Sequence, residues 1–124
     1  MSKIRTLPSS FKYAGNGIKI ALKNEPNFQI HVVVGFLAII AGIVLGLTLT
    51  QWVVLFFTIC FVLIMELINT AIEAIVDLIS PDYHPKAKIA KDVAAAAVLL
   101  SACSAVGVGV VLFLPRIANL IAVI

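Results

Sequence analysis

The sequence predicts an all-α integral membrane protein in one domain over residues 1–124, with an N-terminal amphipathic surface helix followed by three transmembrane helices. Composition and the placement of charge carry this prediction. Of the 124 residues, 62% are hydrophobic and 12% are charged, and the mean hydropathy is +1.15. A soluble domain is about a quarter charged, so the soluble α/β, sandwich and disulfide-scaffold classes fall away. From Pro26 to Met65 there is no Asp, Glu, Lys or Arg. One crossing needs about 20 residues, so this stretch holds two crossings joined by a short turn. A third apolar run follows from Val93 to Pro115.

Within residues 9–23, Phe11, Ala14, Ile18, Ala21 and Leu22 recur at helical spacing, while Lys12, Asn16, Lys19 and Lys23 share another face. This is the pattern of an interfacial helix whose lysines meet anionic head groups, although Gly15 and Gly17 weaken its helicity. The segment lacks the compact apolar core of a cleavable signal peptide and is expected to remain in the mature protein. Asn24-Glu25-Pro26-Asn27 is a helix-start signature, placing the first span at about 27–47. Gly46, Thr48, Thr50 and Gln51 mark a turn, and Trp52 is an interfacial anchor opening the second span, 52–79, which Ser80-Pro81 stops. That span is about 42 Å long against a hydrocarbon core of about 30 Å, so one end projects.

The third span, 86–114, ends at Pro115 and carries Ala94 to Ala97, Ser101, Ala102, Ser104, Ala105, Gly107 and Gly109. Small residues let helices approach closely in lipid, which predicts tight bundling or self-association. Lys3, Arg5, Lys12, Lys19, Lys23, Lys86, Lys88 and Lys91 place the N-terminus and the Ser80–Lys91 connection in the cytoplasm, with Arg116 the exception. Cys60 and Cys103 fall inside spans and read as small hydrophobes rather than as a disulfide or metal pair.

The chemistry concentrates on the second helix. At 100° per residue, Glu66, Asn69, Thr70, Glu73 and Asp77 lie on one stripe, while Ile68, Ile72, Ile75 and Ile79 take the opposite face. A carboxylate near the bilayer centre costs on the order of 2.5–3.5 kcal/mol, and carboxylates four apart repel, so something must compensate. The open choices are a divalent cation, protonation, water in a cytoplasm-facing cavity, or Lys91 from the next helix. Oxygen ligands without a Cys or His cluster suit Mg²⁺, which uses one or two carboxylates plus phosphate oxygens, so a phosphate-bearing substrate fits.

Blander readings stand beside these. Glu73 and Asp77 would simply mark a helix end emerging into the cytosol, but Glu66 lies roughly 20 Å of helix from Ile79 and resists that explanation. Asn69 would hydrogen-bond between helices. Glu25 either joins the cation site or caps a helix. Lys91-Asp92 either faces an anion at a helix start or lies on a solvated face. His31 and His84 read as interfacial hydrogen-bonding residues. No GxxxxGK[ST] motif is present, so nucleotide binding would need another design.

ELINTAIEAIVDLI (66–79) and HPKAKIAKDVAAAAV (84–98), with the N-terminal helix, Asn24-Glu25 and the three-span layout, closely resemble the prokaryotic diacylglycerol kinase family over nearly the whole chain. The resemblance implies a homotrimeric membrane kinase of the bacterial inner membrane that moves the γ-phosphate of MgATP to a lipid hydroxyl. Glu66 matches the family's general base, with Asn69 beside it. Glu25 and Glu73 match the carboxylates that hold the metal ions bridging the ATP phosphates. Asp77, Lys91 and Asp92 match polar residues of a nucleotide site shared between protomers, and Tyr13 matches an aromatic of the surface helix near the nucleotide. Phosphoryl transfer needs positioning and charge neutralisation more than covalent chemistry, which agrees with the stripe.

Asn27-Phe28-Gln29-Ile30-His31 and His84-Pro85 look more like the branch that phosphorylates undecaprenol than the one that phosphorylates diacylglycerol, although Glu25-Pro26 departs from the former's arginine-rich entry. No nucleic-acid partner is expected. A small proton- or cation-translocating subunit is the alternative from another class, yet the carboxylates lie towards one side and the outer half is uncharged up to Arg116. A purely structural assembly protein would leave the acidic stripe unexplained.

Overall fold

A computed structural model describes residues 6–122, which form four helices and, among these residues, no strand. α1 spans Leu7–Asn24, α2 Pro26–Val44, α3 Leu49–Ile79 and α4 Pro85–Ala122. Lys3 and Arg5, two of the charges that orient the chain, lie outside the described residues. Helices α2, α3 and α4 are each long and apolar enough to cross a membrane.

The α1–α2 joint is one residue wide. Glu25 has extended backbone (φ −108°, ψ 101°) and ends α1 while starting α2. Pro26 opens α2, where a missing N–H costs nothing because first-turn amides have no intrahelical partner. Gln29 Nε2 then donates to Leu22 O at 2.9 Å, satisfying a carbonyl at the end of α1 and fastening the joint.

At the opposite end, Gly46 turns the chain with φ +65°, a conformation glycine adopts without a Cβ penalty. Thr48 and Gln51 form a reciprocal cap, with Gln51 N donating to Thr48 Oγ1 at 3.4 Å and Thr48 N to Gln51 Oε1 at 3.0 Å. Helix α3 therefore starts at Leu49, and Trp52 lies inside its first turn rather than at its start. The same turn explains Arg116. Its guanidinium donates to Leu45 O (2.8 Å) and Gly46 O (2.6 Å), carbonyls left open past the end of α2, and to Gln51 Oε1 (2.6 Å) of the α3 cap. Reaching them requires α4 to run through Pro115, where the sequence suggests a stop, on to Ala122. The ring deprives only the Val111 carbonyl of its helical partner.

Helix α3 packs most extensively on α4 and next on α2, while α1 touches α2 and α3. Leu47, Leu55 and Leu112 form a buried cluster near the α2–α3 turn, with Trp52, Ile59 and Phe113 around it. Two glycines of α2 set its approach to α3. A Cβ on Gly35 would lie 3.1 Å from Ile59 Cγ2, and one on Gly42 would lie 2.9 Å from Trp52 Cη2 and 3.0 Å from Leu47 Cδ1. The small-residue stripe of α4 behaves differently from expectation within the chain. Ala94 and Ser101 are buried, but Gly107 faces open space and Gly109 meets only the Phe113 ring at 4.0 Å. Most large apolar side chains of the three long helices point outward, as lipid-facing residues do. Cys60 is half-buried and Cys103 exposed, both as free thiols.

Gly42→Ala should overpack the α2–α3 contact and lower stability by about 1–3 kcal/mol, read as a reduced unfolding midpoint in detergent. An unchanged midpoint would show that Trp52 has room to yield.

Candidate active site

The site is built at the end of the bundle away from the Arg116 clamp, on the last four turns of α3. Glu66 is 3% exposed. Thr70 Oγ1 donates to the Glu66 backbone carbonyl at 3.0 Å, so it leaves the carboxylate alone. Asn69 Nδ2 donates to Glu73 Oε1 at 3.0 Å, which orients that carboxylate along the stripe. Among the described residues, two buried acceptors, Glu66 Oε1 and Asn69 Oδ1, have no hydrogen-bond partner. An unsatisfied buried acceptor costs about 1–3 kcal/mol, so each calls for a donor brought by a small rearrangement or by an incoming group.

Glu25 arrives from the α1–α2 joint. Its carboxylate makes no capping bond to α2, which removes the capping reading. Glu25 and Glu73 both lie within electrostatic reach of Glu66, so three carboxylates from two elements share one neighbourhood. Among the described residues, no three His, Cys, Asp or Glu side chains converge as a ready-made metal cage. The donor set fits a cation that arrives with phosphate, because Mg²⁺ usually takes one or two protein carboxylates and fills its shell with phosphate oxygens and water.

The remaining stripe residues lie further along. Lys91 Nζ donates to Asp77 Oδ1 at 2.8 Å across the α3–α4 contact. Asp92 pairs with Lys88 one turn back on α4, and both pairs are largely solvent-accessible. Lys91 is thus directed to Asp77 and not to Glu66. Asp77, Lys91 and Asp92 line a cleft of about 470 Å³ with Ser80, Tyr83 and His84, where α3 ends and α4 begins. Tyr13 stands on an exposed face of α1, 57% accessible.

The residue that sequence reasoning missed is His31. Its Nε2 lies 3.3 Å from Glu66 Oε1, within ion-pair distance but without the alignment of a hydrogen bond. The signal was present in α2: Phe28, His31, Gly35, Ala38 and Gly42 recur at spacings of three and four, and Phe28, Gly35 and Gly42 are buried. His31 also sits at one end of an apolar cavity of about 390 Å³ between α2, α3 and α4, lined by Gly35, Thr58, Ile59, Ala105 and Phe113 among others.

Residues 12–113 match the model of the family described as prokaryotic diacylglycerol kinase. The chain is 47% identical over 112 residues to a diacylglycerol kinase of Synechocystis, covering 90% of this chain and 64% of that protein. It therefore spans slightly less than two thirds of the length of that relative. It is 41% identical over 108 residues to the undecaprenol kinase of Bacillus subtilis, covering 87% and 88% of the two chains. It is 36% identical over 94 residues to the diacylglycerol kinase of Escherichia coli, covering 76% and 77%.

Because Glu66 holds an unsatisfied acceptor in an apolar setting, Glu66→Leu should raise the unfolding midpoint in detergent, by the equivalent of about 1–3 kcal/mol. A lowered midpoint would mean that the carboxylate is a net structural support.

Proposed function

The chain belongs to the prokaryotic diacylglycerol kinase family, and on that premise we propose that it is an ATP-dependent membrane lipid kinase. It moves the γ-phosphate of MgATP to a lipid hydroxyl, with undecaprenol as the acceptor and undecaprenyl phosphate as the product. The observation that carries this reading is Glu66, a carboxylate buried inside a membrane-crossing helix with an unpartnered oxygen. Glu25 and Glu73 lie within its electrostatic reach, and His31, which faces it, borders an apolar cavity. An acceptor dissolved in the bilayer and a donor dissolved in the cytosol meet only at such a boundary.

In this mechanism Glu66 takes the proton of the lipid hydroxyl as its oxygen attacks the γ-phosphorus. The bond between that phosphorus and the β–γ bridging oxygen breaks, and ADP leaves. Glu25 and Glu73 would hold Mg²⁺, which would supply charge neutralisation at the phosphate oxygens. Asn69 orients Glu73 through its 3.0 Å hydrogen bond. Asp77, Lys91, Asp92 and Tyr13 form the nucleotide side. The Asp77–Lys91 pair ties α3 to α4 there, and the lysine can exchange Asp77 for phosphate as a mobile point charge. The working form is a homotrimer with nucleotide sites shared between protomers. Helix α1 lies on the cytoplasmic surface of the bacterial inner membrane, with the N-terminus on that side.

The near-complete mutual coverage with the Bacillus undecaprenol kinase supports undecaprenol. Diacylglycerol is the second reading, favoured by the higher identity to the Synechocystis diacylglycerol kinase.

Transfer of labelled γ-phosphate from MgATP to undecaprenol and to diacylglycerol in parallel mixed micelles tests the reading. Undecaprenol should be labelled faster, and Glu66→Gln should lower kcat by about 10²–10⁴-fold. Absence of label in both lipids with folded protein would sink it. Glu73→Gln should raise the KM for MgATP by about tenfold or more with a smaller change in kcat; unchanged kinetics would remove Glu73 from the metal side.

A further inference from the structure

Glu66 must present one oxygen to an incoming hydroxyl in a fixed direction, yet a glutamate carries three rotatable bonds and its own helix does not hold it. Asn69 gives its amide hydrogen to Glu73, and Thr70 bonds only the Glu66 backbone. Among the described residues, the side chain that reaches the Glu66 carboxylate comes from another helix, His31 of α2, with Nε2 3.3 Å from Oε1. The imidazole is itself confined. Its backbone lies one turn beyond Phe28, which is 3% exposed, and one turn before Gly35, whose contact with Ile59 fixes the distance between α2 and α3. The ring also lines the apolar cavity, whose walls offer its nitrogens little to bond.

We propose that His31 is the positioning residue of Glu66: a small rotation aligns its Nε2–H on Oε1, locks the carboxylate rotamer, and leaves the other oxygen to receive the lipid hydroxyl's proton. The inference rests on the reading of Glu66 as the base. It assigns His31 no contact with either substrate. This is the base-and-orienter arrangement found wherever a proton acceptor must be held by a second group. A misplacement of about 1 Å at a reacting group costs on the order of 10²-fold in rate, which makes such a hold consequential.

The test compares His31→Met and His31→Gln in the full-length protein, using labelled phosphate transfer to whichever lipid the wild type labels. Both replacements are unbranched and similar in length, and only glutamine keeps an N–H donor. His31→Met should lower kcat by about 10- to 100-fold with the KM for MgATP within about twofold of wild type. His31→Gln should recover kcat to within about fivefold of wild type. Elution from a sizing column and the unfolding midpoint identify folded protein, and His31→Leu replaces His31→Met if the latter unfolds. Wild-type kcat in the folded apolar variant, a loss confined to KM, or a folded His31→Gln as impaired as His31→Met would each overturn the proposal. Failure of the wild type to label any lipid would instead overturn the kinase reading, so the two failures are distinguishable.

Discussion

A carboxylate withdrawn from water governs this molecule. Glu66 sits on a helix whose opposite face is isoleucine, is almost wholly covered, and has a buried oxygen with no aligned hydrogen-bond donor among the described residues. Desolvating such a group is among the costlier things an apolar span can do, and adding Glu25 and Glu73 nearby makes the electrostatics worse. The lysines do not relieve it: Lys91 is turned to Asp77 and Lys88 to Asp92, both outside the buried cluster. The carboxylates thus gather on one side of the bundle with His31 facing Glu66, a donor set that suits a cation bearing phosphate.

The rest of the bundle reads as support for that cluster. At the far end, Arg116 draws α4 onto the α2–α3 turn through Leu45, Gly46 and Gln51, while Leu47, Leu55 and Leu112 fill the space between the three helices. Gly35 and Gly42 let α2 come close enough to α3 for a side chain of α2 to touch Glu66. The Arg116 clamp thus holds the end away from the carboxylates, while Phe28, Val62, Ala94 and Val98 are buried towards the Glu66 end.

Much of this was legible in the residues. The uncharged stretch from Pro26 to Met65 requires two crossings because of its length alone. The acidic stripe of α3 follows from 100° per residue, and the structure keeps Asn69 and Glu73 together on it through a hydrogen bond. Two features resisted. The third span is expected to end at about residue 114, but α4 continues through Pro115, and Arg116 beyond it reaches the α2–α3 turn. Ala94 and Ser101 of the small-residue stripe are buried, a Cβ added at Gly107 or Gly109 would meet nothing closer than 4.0 Å, and glycines of α2 make the close approach to α3. A small residue permits contact without specifying a partner.

What the sequence determined by itself is whatever depends on local periodicity and on the cost of charge in lipid: three spans, the break at Glu25-Pro26, the turn at Gly46, and a carboxylate stripe that demands compensation. Tertiary structure decided which groups face one another. His31 against Glu66, Lys91 against Asp77 and Arg116 against the α2–α3 turn join residues 35, 14 and about 70 positions apart. Helical spacing says which face a side chain occupies, but the azimuth and depth at which helices meet are set by the packing of Gly35 on Ile59 and Gly42 on Trp52. Those contacts turn a histidine that looks interfacial into the neighbour of the buried Glu66 carboxylate.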